Sequence, residues 1–162
     1  MRIFWVKEIH HGSLGMMPRP RGGDWLEEEV KMLKQLEIDV VVSLLEKKEA
    51  ESLLLEKEAA LCQRFGIDFI NYPIRDRQVP DSKRSFLELV SVLDSHLLAG
   101  RKVVIHCRMG IGRTSMLAAG VLLKNDARIE TVFDLLTKYR TLTVPDTEEQ
   151  KLWIKELVGS GL

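Results

Sequence analysis

The chain has 162 residues, among them 24 basic and 24 acidic side chains, so its formal net charge at neutral pH is zero. The length predicts a single domain over residues 1–162, and the balanced charge argues against nucleic acid or a membrane surface as a partner. The chain has no apolar run near the ~20 residues of a membrane span, and its start lacks the apolar core of a secretory signal. We therefore expect a cytoplasmic protein.

Strand and helix patterns alternate along the chain. The first half predicts strands over 3–8, 13–17, 40–45 and 67–72, a helix over 25–36 that Asp24 caps, and a charged helical stretch to Arg64 that stops at Gly66. The second half predicts helices over 85–98, 114–124, 130–139 and 147–158, with one strand over 103–106. Val-rich strands between helices indicate an α/β fold, in which helices flank a central, largely parallel sheet of about four to five strands. A site is then expected at the carboxyl ends of the strands.

The most informative segment joins the strand over 103–106 to the helix that follows. It places one cysteine and one arginine at the two ends of a glycine-bearing loop, His106-Cys107-Arg108-Met109-Gly110-Ile111-Gly112-Arg113-Thr114. A helix N-terminus presents unpaired N–H groups and the positive end of the helix dipole, and both stabilise an anion. With Gly110 and Gly112 able to adopt positive φ, successive N–H groups can turn inward around a phosphate. We expect the phosphate to be bound by the residues of this loop that follow the cysteine: Arg108, Met109, Gly110, Ile111, Gly112 and Arg113.

The polar side chains of this loop have predicted roles. Cys107 is the candidate nucleophile, because the field that favours phosphate also stabilises a thiolate. Arg113 supplies a planar fork that binds two phosphate oxygens and follows them in the transition state. Thr114 donates its hydroxyl to the thiolate when Cys107 becomes the leaving group, and His106 fixes the backbone of the cysteine from behind.

The spacing of these residues resembles the signature of the cysteine-dependent protein phosphatases: His-Cys, five residues, Arg, then Ser or Thr. The resemblance extends upstream to Tyr72-Pro73-Ile74-Arg75-Asp76-Arg77-Gln78-Val79-Pro80-Asp81, about thirty residues before Cys107. There the small dual-specificity phosphatases carry their general-acid loop, and the nearest pattern is that of the kinase-associated phosphatase group. The resemblance implies a phosphotyrosine-phosphatase-like fold and a phosphocysteine intermediate, with neither a metal nor a cofactor.

The resemblance assigns the general acid to Asp76, since the acid of this group follows a Pro-Ile pair by one residue. Chemistry requires such a group independently, because an alkoxide or phenoxide leaves phosphate with difficulty unless its oxygen is protonated. Asp76 also fits a solvated turn carboxylate between Arg75 and Arg77. Asp81 is the rival acid, although its place before the helix over 85–98 favours a helix cap.

Other interpretations of the loop fit less well. The run from Gly110 to Ser115 nearly matches a dinucleotide fingerprint, but its third small position is Ser, and the segment lacks the glycine and lysine of a Walker A loop. Sulfur transferases that resemble rhodanese have shorter loops without the closing Arg-Thr. Cys62, the second cysteine, is predicted to be a core residue, and a disulfide that protects Cys107 is the alternative.

The remaining segments bear on the substrate. A single Arg108 inside the loop favours phosphorylated protein or peptide over a phosphoinositide, because phosphoinositide phosphatases that resemble this family carry extra basic residues there. Short connections suggest a shallow pocket that admits phosphoserine and phosphothreonine as well as phosphotyrosine. Arg19 and Arg21 are either part of a turn or a rim that grips a second acidic group. In phosphatases of this kind a glutamine near Gln150 orients the hydrolytic water. A phosphoprotein-binding module without activity is the alternative function.

Overall fold

Five strands form one sheet, and a computed structural model describes residues 1–159 of the chain. The strands are β1 (Phe4–Ile9), β2 (Gly12–Pro18), β3 (Val40–Ser43), β4 (Asp68–Asn71) and β5 (Lys102–Cys107). Their order across the sheet is β1-β2-β5-β3-β4. β1 and β2 are antiparallel, whereas the pairings of β2 with β5, β5 with β3, and β3 with β4 are parallel. The predicted, largely parallel sheet is therefore confirmed.

Helices cover both faces of the sheet. Within the described residues they are α1 (Leu26–Gln35), α2 (Lys47–Ser52), α3 (Glu58–Arg64), α4 (Lys83–Leu98), α5 (Gly112–Lys124), α6 (Val132–Arg140) and α7 (Glu148–Val158), with a single 3-10 turn over Gly23–Trp25. None of these helices is both long and apolar enough to cross a bilayer.

The apolar core has two layers, one on each face of the sheet. The larger layer packs side chains of α4, α5, α6 and α7 against the sheet, and the smaller one packs α1 and α3 against the other face. Successive strand residues point to opposite faces, so β5 contributes to both layers: Val103, Ile105 and Cys107 to the larger and Val104 to the smaller. β5 thus forms the buried centre of the fold, with β2 and β3 on either side.

Two predicted helix caps are wrong. Asp24 lies in the 3-10 turn, and α1 begins two residues later, after Trp25, without a side-chain cap. Asp81 does not cap α4, because Ser82 is the N-cap and its hydroxyl accepts a hydrogen bond from the N–H of Ser85 at 3.2 Å. Ser and Asp are equally good caps, so the sequence alone could not choose between adjacent candidates. At α7 the cap is Thr147, whose hydroxyl accepts from the N–H of Gln150.

Candidate active site

The loop that the sequence singled out lies at the carboxyl end of the central strand. Cys107 is the last residue of β5, α5 begins at Gly112, and residues 108–111 join the two. α5 thus starts two residues before the predicted position, so that Arg113 belongs to its first turn. The side chain of Cys107 is buried, and the loop places it at the N-terminus of α5, where the helix dipole stabilises an anion.

The carbonyl groups of the loop are held from outside. The carbonyl of Arg108 accepts from the N–H of Arg19 at 3.3 Å. The guanidinium of Arg140, at the end of α6, donates from Nε to the carbonyl of Gly110 and from Nη2 to that of Met109, both at 2.9 Å. A trans peptide points its C=O and the next N–H in opposite directions. The N–H groups of residues 109–111 therefore point away from these partners, toward the inside of the loop, as an anion-binding nest requires.

The two glycines of the loop are needed for different reasons. Gly110 has φ +65°, and a Cβ on it would overlap the carbonyl oxygen of Met17 on β2. Gly112 does not have positive φ, which corrects the sequence-based expectation. It is instead crowded by α7 and the turn before it, since a Cβ there would lie 2.8 Å from Oε1 of Gln150 and overlap the carboxylate of Asp146.

The guanidinium of Arg113 is buried among acceptors. Nη1 and Nη2 donate to the two carboxylate oxygens of Glu49, at 2.7 and 2.9 Å, in a bidentate pair. Nη2 also donates to Oδ1 of Asp76 at 2.9 Å, and Nη1 donates to the carbonyl of Ile74 at 2.9 Å. Within the described residues, all of its bonds use Nη1 and Nη2, so the Nε–H edge is the part of the fork left for another ligand.

Arg113 and Glu49 each stabilise the charged form of the other. Burial by itself lowers the pKa of Arg113, but the hydrogen bonds to Glu49 and the negative charge of Cys107 outweigh it and raise that pKa. Burial likewise raises the pKa of Glu49, but the hydrogen bonds and charge of Arg113 outweigh it, and the pKa of Glu49 lies below its usual value. Burial lowers the pKa of Arg140 despite the opposing effect of the Cys107 charge. Two guanidinium groups thus lie close enough to Cys107 for a charge on its sulfur to affect them.

Of the two candidate acids, the structure joins Asp76 to the loop. Its side chain is about half exposed (52%), and its carboxylate rests on Arg113. Asp76 therefore has a free edge toward solvent and a contact with Arg113. It lies between the exposed Arg75 and Arg77 in the segment that follows β4.

Gln150 links the segment of the candidate acid to the loop. Its side chain is completely buried, and Nε2 donates to the carbonyl of Gln78 at 3.1 Å. Its Oε1 lies against Gly112 and has no hydrogen-bond partner within the described residues. A buried acceptor without a partner is costly, so this oxygen is suited to a water or substrate donor.

Thr114 and His106 are buried on either side of Cys107 along the chain. The hydroxyl of Thr114 has no hydrogen-bond partner in residues 1–159, which leaves it able to donate to a nearby anion. Nδ1 of His106 lies 3.3 Å from the carbonyl oxygen of Cys107, and its Nε2 lies 2.9 Å from Oε1 of Glu58. His106 thus contacts the backbone of the cysteine from the opposite face of β5.

Arg21, a candidate for the substrate rim, is paired with neighbouring side chains in the structure. Its Nε donates to the buried Glu29 at 2.8 Å, and its guanidinium stacks over the ring of Trp25. The Nη1 of Arg19 donates to the neighbouring carbonyl of Pro20, and its backbone N–H holds the loop. Residues 19–22 form an irregular segment before the 3-10 turn, and both of its arginines have local partners.

Cys62 is a core residue, as predicted. It belongs to the smaller core layer, whereas Cys107 belongs to the larger one, and both thiols are free. Burial, assisted by the charge of Glu58, raises the pKa of Cys62 to about 12. Cys62 is therefore a thiol at neutral pH and is not prepared to attack an oxidised Cys107.

Three polar residues at the site were missed by the sequence analysis: Glu49, Glu58 and Arg140. Glu49 lies in a charged stretch that indicates a solvated helix face, and Arg140 fits a basic side chain at a helix C-terminus, so neither gave a signal. Glu58 did give one, because it precedes the predicted core residue Cys62 by four positions, and residues at that spacing share a helix face. In the described residues, no cluster of three or more candidate metal ligands occurs.

A family model matches the part of the chain that contains the loop of residues 107–113. Residues 15–127 match the family Tc-R-P, described as a polymorphic toxin system phosphatase of the DSP-PTPase type. The chain belongs to this family. It is therefore a member of the dual-specificity and tyrosine phosphatases, which are hydrolases that act on phosphorylated substrates.

Individual relatives are more distant. Protein 197R of Invertebrate iridescent virus 6, named as a candidate tyrosine phosphatase, is 28% identical over 156 residues, which are 92% of this chain and 54% of the viral protein. Mouse dual specificity protein phosphatase 2 is 28% identical over 75 residues, 46% of this chain and 24% of the mouse protein. The chain thus spans about half the length of the first of these relatives and a smaller part of the second.

Solved structures share the fold over nearly the whole chain. Kinase-associated phosphatase, crystallised with its catalytic-site cysteine changed to serine, superposes with a TM-score of 0.90 at 24% identity, over 99% of this chain and 95% of that one. Tk-PTP in its active form gives a TM-score of 0.76 at 23% identity, over 97% of each chain. The phosphotyrosine-phosphatase-like fold and the resemblance to the kinase-associated phosphatase group are thereby confirmed.

Proposed function

We propose that this protein hydrolyses phosphomonoesters on phosphorylated proteins or peptides, through a phosphocysteine intermediate on Cys107. The observation that carries the proposal is the loop of residues 107–113, in which three carbonyl groups accept hydrogen bonds from Arg19 and Arg140. The N–H groups that follow these carbonyls in the chain are therefore free to bind an anion at the N-terminus of α5. A phosphate dianion bound there lies next to a thiolate and a fixed guanidinium. Such preorganised donors stabilise the charge that develops during phosphoryl transfer.

In the first step the thiolate of Cys107 attacks phosphorus. The S–P bond forms as the P–O bond to the substrate oxygen breaks, and Asp76 gives its proton to that oxygen. Arg113 binds two phosphate oxygens, so the incoming phosphate competes with the carboxylate of Asp76 for the same guanidinium. Displacement of Asp76 from Arg113 frees its carboxylate, which is half exposed and takes up a proton from solvent, to act as the acid for the leaving group.

In the second step water attacks the phosphocysteine. Asp76, now a carboxylate, takes a proton from the water as the P–S bond breaks, and Thr114 donates a hydrogen bond to the departing thiolate. The free Oε1 of Gln150 accepts a hydrogen bond from the attacking water and so orients it. Inorganic phosphate is released, and the thiolate is restored.

The substrate is proposed to be phosphotyrosine, with phosphoserine and phosphothreonine as further substrates. Arg108 is exposed, and it is the one basic residue among the five that separate Cys107 from Arg113. This composition supports a phosphorylated side chain on a protein or peptide. It provides less positive charge than a polyphosphorylated inositol ring requires.

A substrate panel in the presence of a chelator tests this proposal. The protein is incubated with a phosphotyrosine peptide, a phosphothreonine peptide and an inositol phosphate, with and without vanadate. We expect release of phosphate from the peptides, competitive inhibition by vanadate, and loss of turnover in Cys107→Ser with retained phosphate binding. Faster release from the inositol phosphate would transfer the proposal to a phosphoinositide substrate. Binding of the peptides without turnover by the wild-type protein would identify a binding module.

A further inference from the structure

Three arginine side chains differ from the other arginines of the chain because they have no partner. The chain has twelve arginines, and nine of them contact a carboxylate, a carbonyl, a histidine ring or an aromatic ring. Within residues 1–159, the side chains of Arg75, Arg77 and Arg108 make none of these contacts, and all three are exposed. Each of these guanidinium groups therefore has all five of its N–H donors free for a ligand.

Two of the three unpartnered arginines lie beside the candidate acid. Arg75 and Arg77 are the sequence neighbours of Asp76, whose carboxylate accepts a hydrogen bond from Arg113. The N–H of Gln78 donates to the carbonyl of Arg75 at 3.0 Å, so a hydrogen-bonded turn carries both arginines. Consecutive Cα atoms are about 3.8 Å apart, so both side chains begin one residue away from the carboxylate that Arg113 holds.

The third unpartnered arginine, Arg108, directly follows the candidate nucleophile. Burial raises the pKa of Glu49, but the hydrogen bonds and charge of Arg113 outweigh it, and the charge of Arg108 adds to the lowering. Arg108 is therefore close enough to the pair of Glu49 and Arg113 for its charge to affect them. Since Arg113 binds both Glu49 and Asp76, all three free guanidinium groups lie near a partner of that one arginine.

We propose that Arg75, Arg77 and Arg108, together called the basic rim, bind a second anionic group of the substrate, close to its phosphorylated residue. The inference rests on the proposed function, because it names the class of phosphopeptide that the same site takes. The planar fork of an arginine matches a carboxylate or a phosphate. The second anion is therefore an Asp or Glu side chain, or a second phosphorylated residue, beside the residue that is hydrolysed.

The basic rim acts on substrate binding and not on the chemical step. It contacts parts of the peptide that do not react, so an acidic neighbour of the phosphorylated residue lowers KM and leaves kcat unchanged. The charges of the basic rim are exposed, so salt screens their attraction to the peptide. The chain as a whole has zero formal net charge, so a preference for acidic peptides has to come from a local group of charges.

The test compares three fluorescent phosphotyrosine peptides of equal length. The residues that flank the phosphotyrosine are Glu and Asp in the first, Gln and Asn in the second, and Gln and Asn with one added phosphoserine in the third. The peptides are titrated into Cys107→Ser, which is expected to bind them without turnover. At about 0.1 M salt the acidic peptide should bind about tenfold more tightly than the neutral one, and at about 1 M salt less than twofold. The third peptide shows whether phosphate serves the basic rim as well as carboxylate does.

Substitutions in the same background assign the preference to the basic rim. Arg75→Gln combined with Arg77→Gln should weaken binding of the acidic peptide about fivefold and of the neutral peptide less than twofold. Adding Arg108→Gln should remove the preference that remains. Arg84→Gln is the matched control, because it removes an exposed arginine that has a carboxylate partner on its own helix, and it should leave the preference unchanged.

Equal affinity for the acidic and neutral peptides at low salt would overturn the inference. A preference that survives in the triple variant or at about 1 M salt would overturn it as well. The affinities need no turnover, so a protein that prefers acidic peptides but releases no phosphate keeps the basic rim and loses the proposed reaction. If Cys107→Ser binds none of the peptides, the wild-type KM values decide, since hydrolysis with equal KM for both peptides keeps the reaction and refutes the basic rim.

Discussion

The carboxylate of Asp76 rests on Arg113 in the free protein, at the guanidinium that the substrate phosphate is proposed to use. This contact keeps the candidate acid near the reacting atoms and makes its release depend on the phosphate. The candidate acid and the substrate phosphate are thus coupled, because both are proposed to bind the guanidinium of Arg113. Asp81, the rival acid, has no comparable contact with Arg113 among the described residues.

We predict that Asp76→Asn slows a phosphothreonine peptide about a hundredfold or more, because its alkoxide leaving group needs a proton. An activated aryl phosphate, whose leaving group needs little protonation, should be slowed far less. The falling, high-pH limb of the kcat/KM profile should also flatten. Asp81→Asn is the control and should change neither the profile nor the stability, since Ser82 caps α4. The reverse pattern in the two variants would assign the acid to Asp81.

Glu49 should make the stability of the protein depend on pH in a defined direction. Its folded-state pKa lies below the ordinary value of 4.5, so its pairing with Arg113 stabilises the fold above that pH and is lost as the pH falls through the lowered value. We predict that Glu49→Gln lowers the free energy of unfolding by about 3 kcal/mol at pH 7, as for one partner removed from a buried pair. Denaturant unfolding at pH 7 and at pH values below 4.5 should show this difference shrinking in acid. A constant difference would refute the assignment.

Helix α6 supports the loop of residues 107–113 through its last residue. Arg140 is 7% exposed, its guanidinium stacks over the ring of Phe4 at 4.1 Å, and it donates to two loop carbonyls. β1, α6 and the loop are therefore joined through one side chain. The loop geometry thus depends on an element about thirty residues farther along the chain.

We predict that Arg140→Met weakens vanadate inhibition by about tenfold or more and lowers the unfolding free energy by about 1–3 kcal/mol. Both effects follow from leaving the carbonyls of Met109 and Gly110 without a donor. Inhibition assays and denaturant unfolding measure them. Lys138→Met, at an exposed position of the same helix, is the control. Unchanged vanadate inhibition in a folded Arg140→Met variant would show that the loop holds its shape unaided.

Local patterns predicted the elements and the loop, because periodicity, glycine positions and the cysteine-arginine spacing are properties of neighbouring residues. The predicted stop at Gly66 is correct, and that glycine has positive φ. The partners of the loop could not be predicted in this way. Glu49 and Arg140 reach it from separate helices, and only the tertiary fold determines which charged side chains are buried together.

In the whole molecule, the two core layers lie on opposite faces of the sheet, and both contribute residues to the site. Cys107 faces the layer of α4 to α7, and the pair formed by Glu58 and His106 lies on the side of α3. Arg113 then connects the loop to α2 and to the segment after β4. The proposed site is therefore assembled only when both layers are packed on the central strand.

Direct trapping of the phosphocysteine intermediate on Cys107 tests the proposed reaction. Asp76→Asn is mixed with an activated aryl phosphate, which bypasses the need for an acid in the first step but leaves the second step without its base. After rapid denaturation, peptide mass spectrometry should find one phosphoryl group on Cys107, and none in the double variant Asp76→Asn, Cys107→Ser. Release of the aryl group without any phosphoryl group on Cys107, at an equal rate in both variants, would contradict the account.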